Sequence, residues 1–482
     1  MTSKEKKSFY ITTTIPYVNA DPHIGFALEL VQSDAIARYQ RLTGKDVFFS
    51  TGTDEYGQKI WEASKKEGKN IQDYVDFYAE KFLDLKDLLN LSYDNFIRTT
   101  SKKHILAVQE FWRLCDEKGD IYKKIYEGLY CVGCEKFVTD KDLAGTKCLL
   151  HPSQELEFVE EENYFFKLKN YKKQLLEYLS SEKVIFPEWR RKEAIDFVQD
   201  GMEDFSISRN KKRVSWGIPI PGDDEQVMYV WFGAFVNYIS TLGWPKDKKN
   251  NFEKFWSKGE KIQTAGKDMV KFQSVMWQGM LMSAGLPVTN TIVYHGFITG
   301  EGGIKMSKSI GNVINPSDIV KEYGTDALRY FLLREISSFE DSPFTMARFK
   351  EAYNANLANG LGNLVSRIMK MAEDNLTSPV EVSTLRPDQV FLKNMENFNV
   401  QKAIELIWLW IGALDARIQL EEPFKLVKKD SKKAKIIISE LVLGLDNIAE
   451  HLKPLLPETS EKIQKLIKEN KKPKKPLFLR KD

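Results

Sequence analysis

The chain has no run approaching the ~20 consecutive apolar residues needed to span a bilayer, and its opening, Met1 to Lys7, is polar and lysine-rich. Without an apolar signal core or the length of an organelle transit peptide, that opening argues against secretion and for a cytoplasmic protein. Cysteine is scarce: there are four in 482 residues, three of them between Cys131 and Cys148. Such clustering in a large chain without a secretion signal argues against a disulfide scaffold and favours metal ligation. Strong charge of one sign is missing too. With a net charge of +3 the molecule is no polycation, and any nucleic-acid surface must be a local patch. No internal repeat at solenoid periods is visible.

What is present is an ordinary globular composition, 42% hydrophobic and 29% charged, with length for about three domains. Phe9 to Thr14 reads as a strand rich in β-branched and aromatic residues. Asp21 and Pro22 then offer a helix N-cap and a first-turn proline. Ile24, Leu28, Val31, Ala35, Ile36 and Tyr39 recur at helical spacing, and Val47 to Ser50 is a second strand. A strand–helix–strand unit implies a parallel sheet. From about 118 to 160 the pattern breaks up as in an inserted knuckle. Strand-like runs return at Gln226 to Val230, Ile262 to Ala265 and Thr291 to Phe297, with helical periodicity over Val270 to Ser283. Beyond about 347 only helical patterning remains, at Asn356 to Met371, Val400 to Leu420 and Lys433 to Lys453, as in a helical bundle. The end, from Lys471 to Pro476, is basic and proline-broken and reads as a mobile tail.

Two segments carry nucleotide chemistry. Pro22-His23-Ile24-Gly25-Phe26 lies where the first strand hands over to the first helix. Backbone N–H groups and the helix dipole there favour phosphate. Gly25 admits close approach to the backbone, and His23 can donate to phosphate or ribose. A lone histidine near a helix start is more often structural. In the second half, Lys305-Met306-Ser307-Lys308-Ser309 sits in a glycine-flanked loop. Mobile cations of that kind balance charge on a leaving pyrophosphate; the bland alternative is a solvated surface loop.

Cys131-Val132-Gly133-Cys134 is followed after thirteen residues by Cys148-Leu149-Leu150-His151. This spacing sets four soft or borderline ligands, Cys131, Cys134, Cys148 and His151, around one tetrahedral Zn2+. No position stays open, so the ion is expected to be structural, one per chain. Buried free thiols with a chance histidine are the alternative. Cys115 lies outside the pattern and reads as a core residue on a helix.

The His23 and Lys305 to Ser309 segments together resemble the HIGH and KMSKS motifs of class I aminoacyl-tRNA synthetases. Ile15 to Asn19, Gly52 to Glu55, Ser206 to Arg209, Trp216 to Pro219, Met228 to Phe232 and Ala265 to Asp268 resemble the methionyl branch, as do Asn359 to Arg367 and Glu422 to Phe424. The similarity runs over roughly residues 8 to 460. It implies an α/β Rossmann-type domain in two halves, 1–117 and 206–300, split by a connective insertion with a zinc knuckle at 118–205. A KMSKS and stem-contact region at 301–346, an all-α anticodon-binding bundle at 347–470 and a basic tail at 471–482 complete the expected organisation.

The resemblance also implies roles. His23, Lys305 and Lys308 would act on the triphosphate, with Gly25, Gly266, Asp268 and Ser307 completing the ATP site and Mg2+ accompanying ATP. Ile15, Tyr17, Asp54, Trp231, Ala234, Tyr238 and Gln273 would form the methionine pocket. Asp54 suits the substrate ammonium, and Tyr17 and Trp231 suit a thioether, although Trp231 also reads as a core aromatic in a buried strand. Asn359, Arg367, Pro423 and Phe424 would face the anticodon of tRNA(Met). The absence of a large editing insertion fits the methionyl or cysteinyl branches. Without an added C-terminal oligonucleotide-binding domain, a monomer is expected.

Five positions depart from the family pattern: Phe26 ends the HIGH box, Tyr56 follows Asp-Glu, Gly233 follows Trp231-Phe232, Gln273 replaces a pocket histidine, and Phe424 replaces a tryptophan. An active ligase with a rearranged site and a non-catalytic tRNA-binding relative both follow from these; Asp54, Trp231, Lys267, Asp268 and the intact KMSKS favour the first. A cysteinyl enzyme would need an open zinc position, and a small nucleotidylyltransferase would leave the helical third unexplained.

Overall fold

The structure, a computed structural model, describes residues 6–133, 136–138, 142–149, 151–152, 154–303, 314–382 and 388–482. The chain divides into two compact units. One comprises Met1–Pro22, Asp46–Lys86 and Tyr93–Tyr294; the other comprises His23–Lys45, Asp87–Ser92 and His295–Asp482.

The first unit is built on strands β1 (Ser8–Thr12), β2 (Asp46–Thr53), β3 (Asn95–Arg98), β4 (Ile121–Cys131), β5 (Glu157–Phe166), β6 (Ile185–Phe186), β7 (Asp223–Met228), β8 (Glu260–Gly266) and β9 (Thr291–His295). Six of them form one sheet in the order β3-β2-β1-β8-β9-β6. The β3–β2, β2–β1, β1–β8 and β9–β6 ladders run parallel. Phe9, Tyr10, Ile11, Phe49, Ile262, Ile292 and Tyr294 are all fully buried. Unbroken apolar runs of this kind belong to parallel strands covered on both faces. Gly52 is required here, because a Cβ on it would stand 2.0 Å from the Ile97 carbonyl oxygen on β3.

The inserted region differs from the broken pattern expected. β4 and β5 form a long antiparallel ladder from Ile121↔Phe166 to Tyr130↔Glu157. Ile125 and Phe158 lie exposed on it. The ladder is the middle pair of a four-stranded sheet with Phe205–Ser206 and Lys136–Phe137 at its edges, and its central residues are mostly exposed, so hydrophobicity did not announce it. The expected strand at Gln226 to Val230 ends at Met228, and Val230 opens a short helix to Phe235, so Trp231 stands on a helix. Val270 to Ser283 is helical but contains a π-helical stretch, Phe272–Met276, before Trp277–Ser283.

The second unit holds α1 (Ile24–Leu42), α2 (Thr325–Tyr330), α3 (Asn363–Asn375), α4 (Val400–Glu421), α5 (Ser431–Leu452) and α6 (Pro457–Glu469). Asp21 does not cap α1. The cap is His23, and Asp21 instead pairs with Lys81 in the first unit at 2.6 Å. The helical run read from Asn356 begins as a π-helix, Tyr353–Gly362, that passes into α3. The basic end is also held: Lys471 pairs with Glu373 at 3.1 Å, Phe478 is buried, and the Tyr353 hydroxyl donates to the Leu479 carbonyl at 2.9 Å. Expected as a mobile tail, it packs because its aromatic residue finds a slot and its lysines find a carboxylate.

Candidate active site

In the first unit the candidate residues gather at the carboxyl ends of three adjacent strands, where ligands bind in open parallel sheets. β1 leads to Ile15 and Tyr17, β2 to Asp54, and β8 ends at Gly266 before a turn carrying Lys267 and Asp268. Tyr17 and Asp54 form an isolated parallel bridge, with the Val18 N–H donating to the Asp54 carbonyl at 3.2 Å. The Trp231 indole N–H donates to the Tyr17 hydroxyl oxygen at 2.6 Å, and the Trp231 ring meets Phe272 edge-on with centroids 3.9 Å apart. The Tyr10 hydroxyl donates to the Tyr238 carbonyl at 2.7 Å, which ties the buried Tyr238 to β1. Ala234 lies on the helix of Trp231, and Asp268 is exposed on its turn.

Gln273 is fully buried, and neither its amide nitrogen nor its oxygen has a hydrogen-bond partner among the described residues. Its neighbour Phe272 is the one packed on Trp231. A buried carboxamide left in that state costs free energy, which marks the position as one that a ligand can satisfy.

Beside Asp54 lies a network that sequence reasoning missed. Buried Glu55 accepts from Arg98 Nε at 2.6 Å and from the Thr53 hydroxyl at 2.8 Å, while its carbonyl accepts from the Trp216 indole at 2.6 Å. Tyr56 packs on Trp216 with centroids 5.1 Å apart. Burial, then the Glu55 and Asp54 carboxylates, push the Tyr56 phenol up to about 12, so it stays neutral. The only signal in the sequence was the Gly-Thr-Asp-Glu run itself.

In the second unit, His23 caps α1, its Nδ1 accepting the Gly25 N–H at 3.0 Å. Lys305, Ser307 and Lys308 lie outside the described residues. Along the bundle, Asn359 is exposed, Arg367 pairs with Asp415, Pro423 is buried at the first position of a short helix, and Phe424 is 49% exposed. Asn363 is exposed between Asn359 and Arg367, four residues from each. That even spacing was the available signal for a third polar residue on this face.

In the insertion, the donor atoms of Cys131, Cys148 and His151 lie within 4.8 Å of one another, with Cys131 Sγ 3.8 Å from His151 Nδ1. Two thiols and an imidazole so placed fit a thiophilic ion. Cys134 lies outside the described residues. Cys115 is a buried core residue on the helix Lys102–Glu117, its thiol pushed up to about 12 by burial.

The family model described as "tRNA synthetases class I (M)" matches residues 9–157 and 141–369. Fold, strand-end site and match together define a class I tRNA synthetase. The methionine–tRNA ligase of Fusobacterium nucleatum is 40% identical over 474 residues, covering 95% of this chain and 74% of that protein. That of Nostoc sp. is 38% identical over 484 residues, covering 96% and 90%. Methionyl-tRNA synthetase of Mycobacterium tuberculosis, solved in complex with methionyl-adenylate, superposes with a TM-score of 0.87 at 34% identity, covering 95% of this chain and 93% of that one. The chain belongs to the methionyl-tRNA synthetase family.

Proposed function

We infer that the chain is an ATP-dependent methionine–tRNA ligase. The observation that carries this reading is the cluster of Tyr17 and Asp54, at adjacent strand ends, with Trp231 on the helix that packs beside them, in a chain similar over 95% of its length to a synthetase solved with methionyl-adenylate.

The reaction has two steps. The methionine carboxylate attacks the α-phosphorus of ATP, and pyrophosphate leaves. The terminal ribose hydroxyl of tRNA(Met) then attacks the adenylate carbonyl, and AMP leaves. No protein nucleophile is needed; positioning and stabilisation of phosphate charge do the catalysis. Asp54 holds the substrate ammonium, and Tyr17, Trp231, Ile15, Ala234, Tyr238 and Gln273 surround its side chain. Gly25, Gly266 and Asp268 receive the adenosine end of ATP, and His23, Lys305, Ser307 and Lys308 the triphosphate. Mg2+ bound with ATP would share the phosphate charge. Asn359, Arg367, Pro423 and Phe424, with Asn363 added, face the anticodon.

Cys131, Cys148 and His151, with Cys134 as fourth ligand, would hold a structural Zn2+ whose binding free energy is largely folding free energy of the knuckle. Among the described residues no helix is long and apolar enough to cross a membrane. We take the ligase to be a cytoplasmic monomer.

The test is methionine-dependent exchange of labelled pyrophosphate into ATP, followed by charging of tRNA(Met). Exchange above background is expected. Tight tRNA binding without exchange would replace the enzyme with a binding module.

A further inference from the structure

His23 has a defined proton arrangement. Its Nδ1 accepts the Gly25 N–H at 3.0 Å, so in the neutral ring the proton sits on Nε2 and that nitrogen is the donor. A Cβ on Gly25 would stand 2.8 Å from His23 Cε1, so glycine is what lets the ring lie in this position. Phe26 then stacks on the ring, with centroids 4.3 Å apart and planes 29° from parallel. The histidine χ2 is a broad torsion when nothing constrains it. The cap bond and the stack together restrict it. The site is the first turn of α1, where the helix dipole favours an anion, while the Ile24, Gly25 and Phe26 N–H groups are already given to the Ile314 carbonyl, His23 Nδ1 and the His23 carbonyl.

Phenylalanine has no hydrogen to donate, so Phe26 acts on phosphate only through its neighbour. We propose that Phe26 is a positioning residue: stacked on His23, it holds the Nε2–H donor in one direction, toward the triphosphate of ATP. The proposal rests on the reading of His23 as a phosphate contact.

The experiment uses the full chain and follows single-turnover formation of methionyl-adenylate, with thermal unfolding of every variant as a control. Phe26→Leu slows adenylate formation on the order of tenfold by loosening the donor and leaves the KM for methionine unchanged. Phe26→Tyr, which keeps a stacked ring, restores the rate to near wild type. In a His23→Ala background, Phe26→Leu has no further effect, because residues acting through one another are non-additive. Should Phe26→Leu not fold, Phe26→Met serves the same cycle.

An equal loss in both backgrounds would overturn the proposal, as would an unchanged rate for Phe26→Leu when His23→Ala is slow. A His23→Ala enzyme as fast as wild type is a separate outcome: it would remove the phosphate role of His23, and the positioning role with it.

Discussion

Gln273 shows how far a single side chain can be read. Its type and position were legible in the sequence as a departure in the methionine pocket. That its carboxamide is buried without partners was not legible, since that depends on every neighbour at once. The orphaned amide sets up opposite effects on stability and on substrate binding. Gln273→Met replaces it with an apolar side chain of similar size, which should stabilise the free protein by about 1–3 kcal/mol, the cost of an unsatisfied buried polar group. If the amide reads the substrate, the same change raises the KM for methionine in pyrophosphate exchange. A higher melting temperature with an unchanged KM would leave Gln273 a packing residue only. Tyr17, Asp54 and Trp231 were legible because each sits in a short motif that is local in sequence. The Glu55 network was not, because its partners Arg98 and Trp216 lie 43 and 161 residues away.

Elements were legible where burial is continuous. β1 and β2 announced themselves through the apolar runs Phe9 to Ile11 and Val47 to Phe49, because parallel strands are covered on both faces, whereas β8 shows only Ile262 and Ala265 among polar residues. The β4–β5 ladder did not, since its central residues are mostly exposed, and neither did the π-helical stretches, since one extra residue per turn barely disturbs an apolar stripe. The start of α1 shifted from Asp21 to His23 because a histidine nitrogen took the role usually given to Ser, Thr, Asp or Asn. Helix α1 is also anchored by a pair that no local pattern reveals. Asp34 on α1 and Arg329 on α2 are both fully buried and meet at 2.8 Å, and Arg329 donates as well to the carbonyls of Leu89 and Leu455 at 3.0 and 2.9 Å. Burial alone would raise the Asp34 carboxyl; Arg329, Arg38 and Ser92 outweigh it and hold the group below its usual value. The folded pKa being depressed, this stabilisation is fully present above the unfolded value of about 3.9 and is lost as pH falls through the folded one. Arg329→Met strips the carboxylate of one cation and several carbonyls of their donor. It should cost about 3–5 kcal/mol in denaturant unfolding at neutral pH. A loss below about 1 kcal/mol would mean that Arg38 and Ser92 suffice to satisfy Asp34.

At the scale of the whole molecule, the chain divides its two recognition tasks between groups far apart in sequence, and a variant can separate them. In the proposed function, methionine activation would draw on Tyr17, Asp54 and Trp231, and anticodon reading on Asn359, Asn363, Arg367 and Phe424. Glu422, ending α4 in the left-handed region at φ 42°, turns the chain, and Pro423 starts the next short helix. Phe424 follows at once and is 49% exposed, so it does not plug the bundle core, and its face is open to a base. Stacking of one base on an aromatic side chain is worth ~1–3 kcal/mol, and sequence-specific RNA reading favours splayed single-stranded bases. Phe424→Ala should therefore raise the KM for tRNA(Met) in aminoacylation by roughly tenfold to a hundredfold, the equivalent of that stacking energy. Pyrophosphate exchange, which needs no tRNA, should be unchanged. So should the melting temperature, because removing a half-exposed ring opens no cavity; a core residue would lower it, ~1 kcal/mol being worth about 2–4 °C in a domain of 150–250 residues. Unchanged aminoacylation with intact stability would take Phe424 off the recognition face and leave Asn359 and Asn363 to read the anticodon. A fall in exchange together with charging would mean that the two tasks share residues that their separation in sequence conceals.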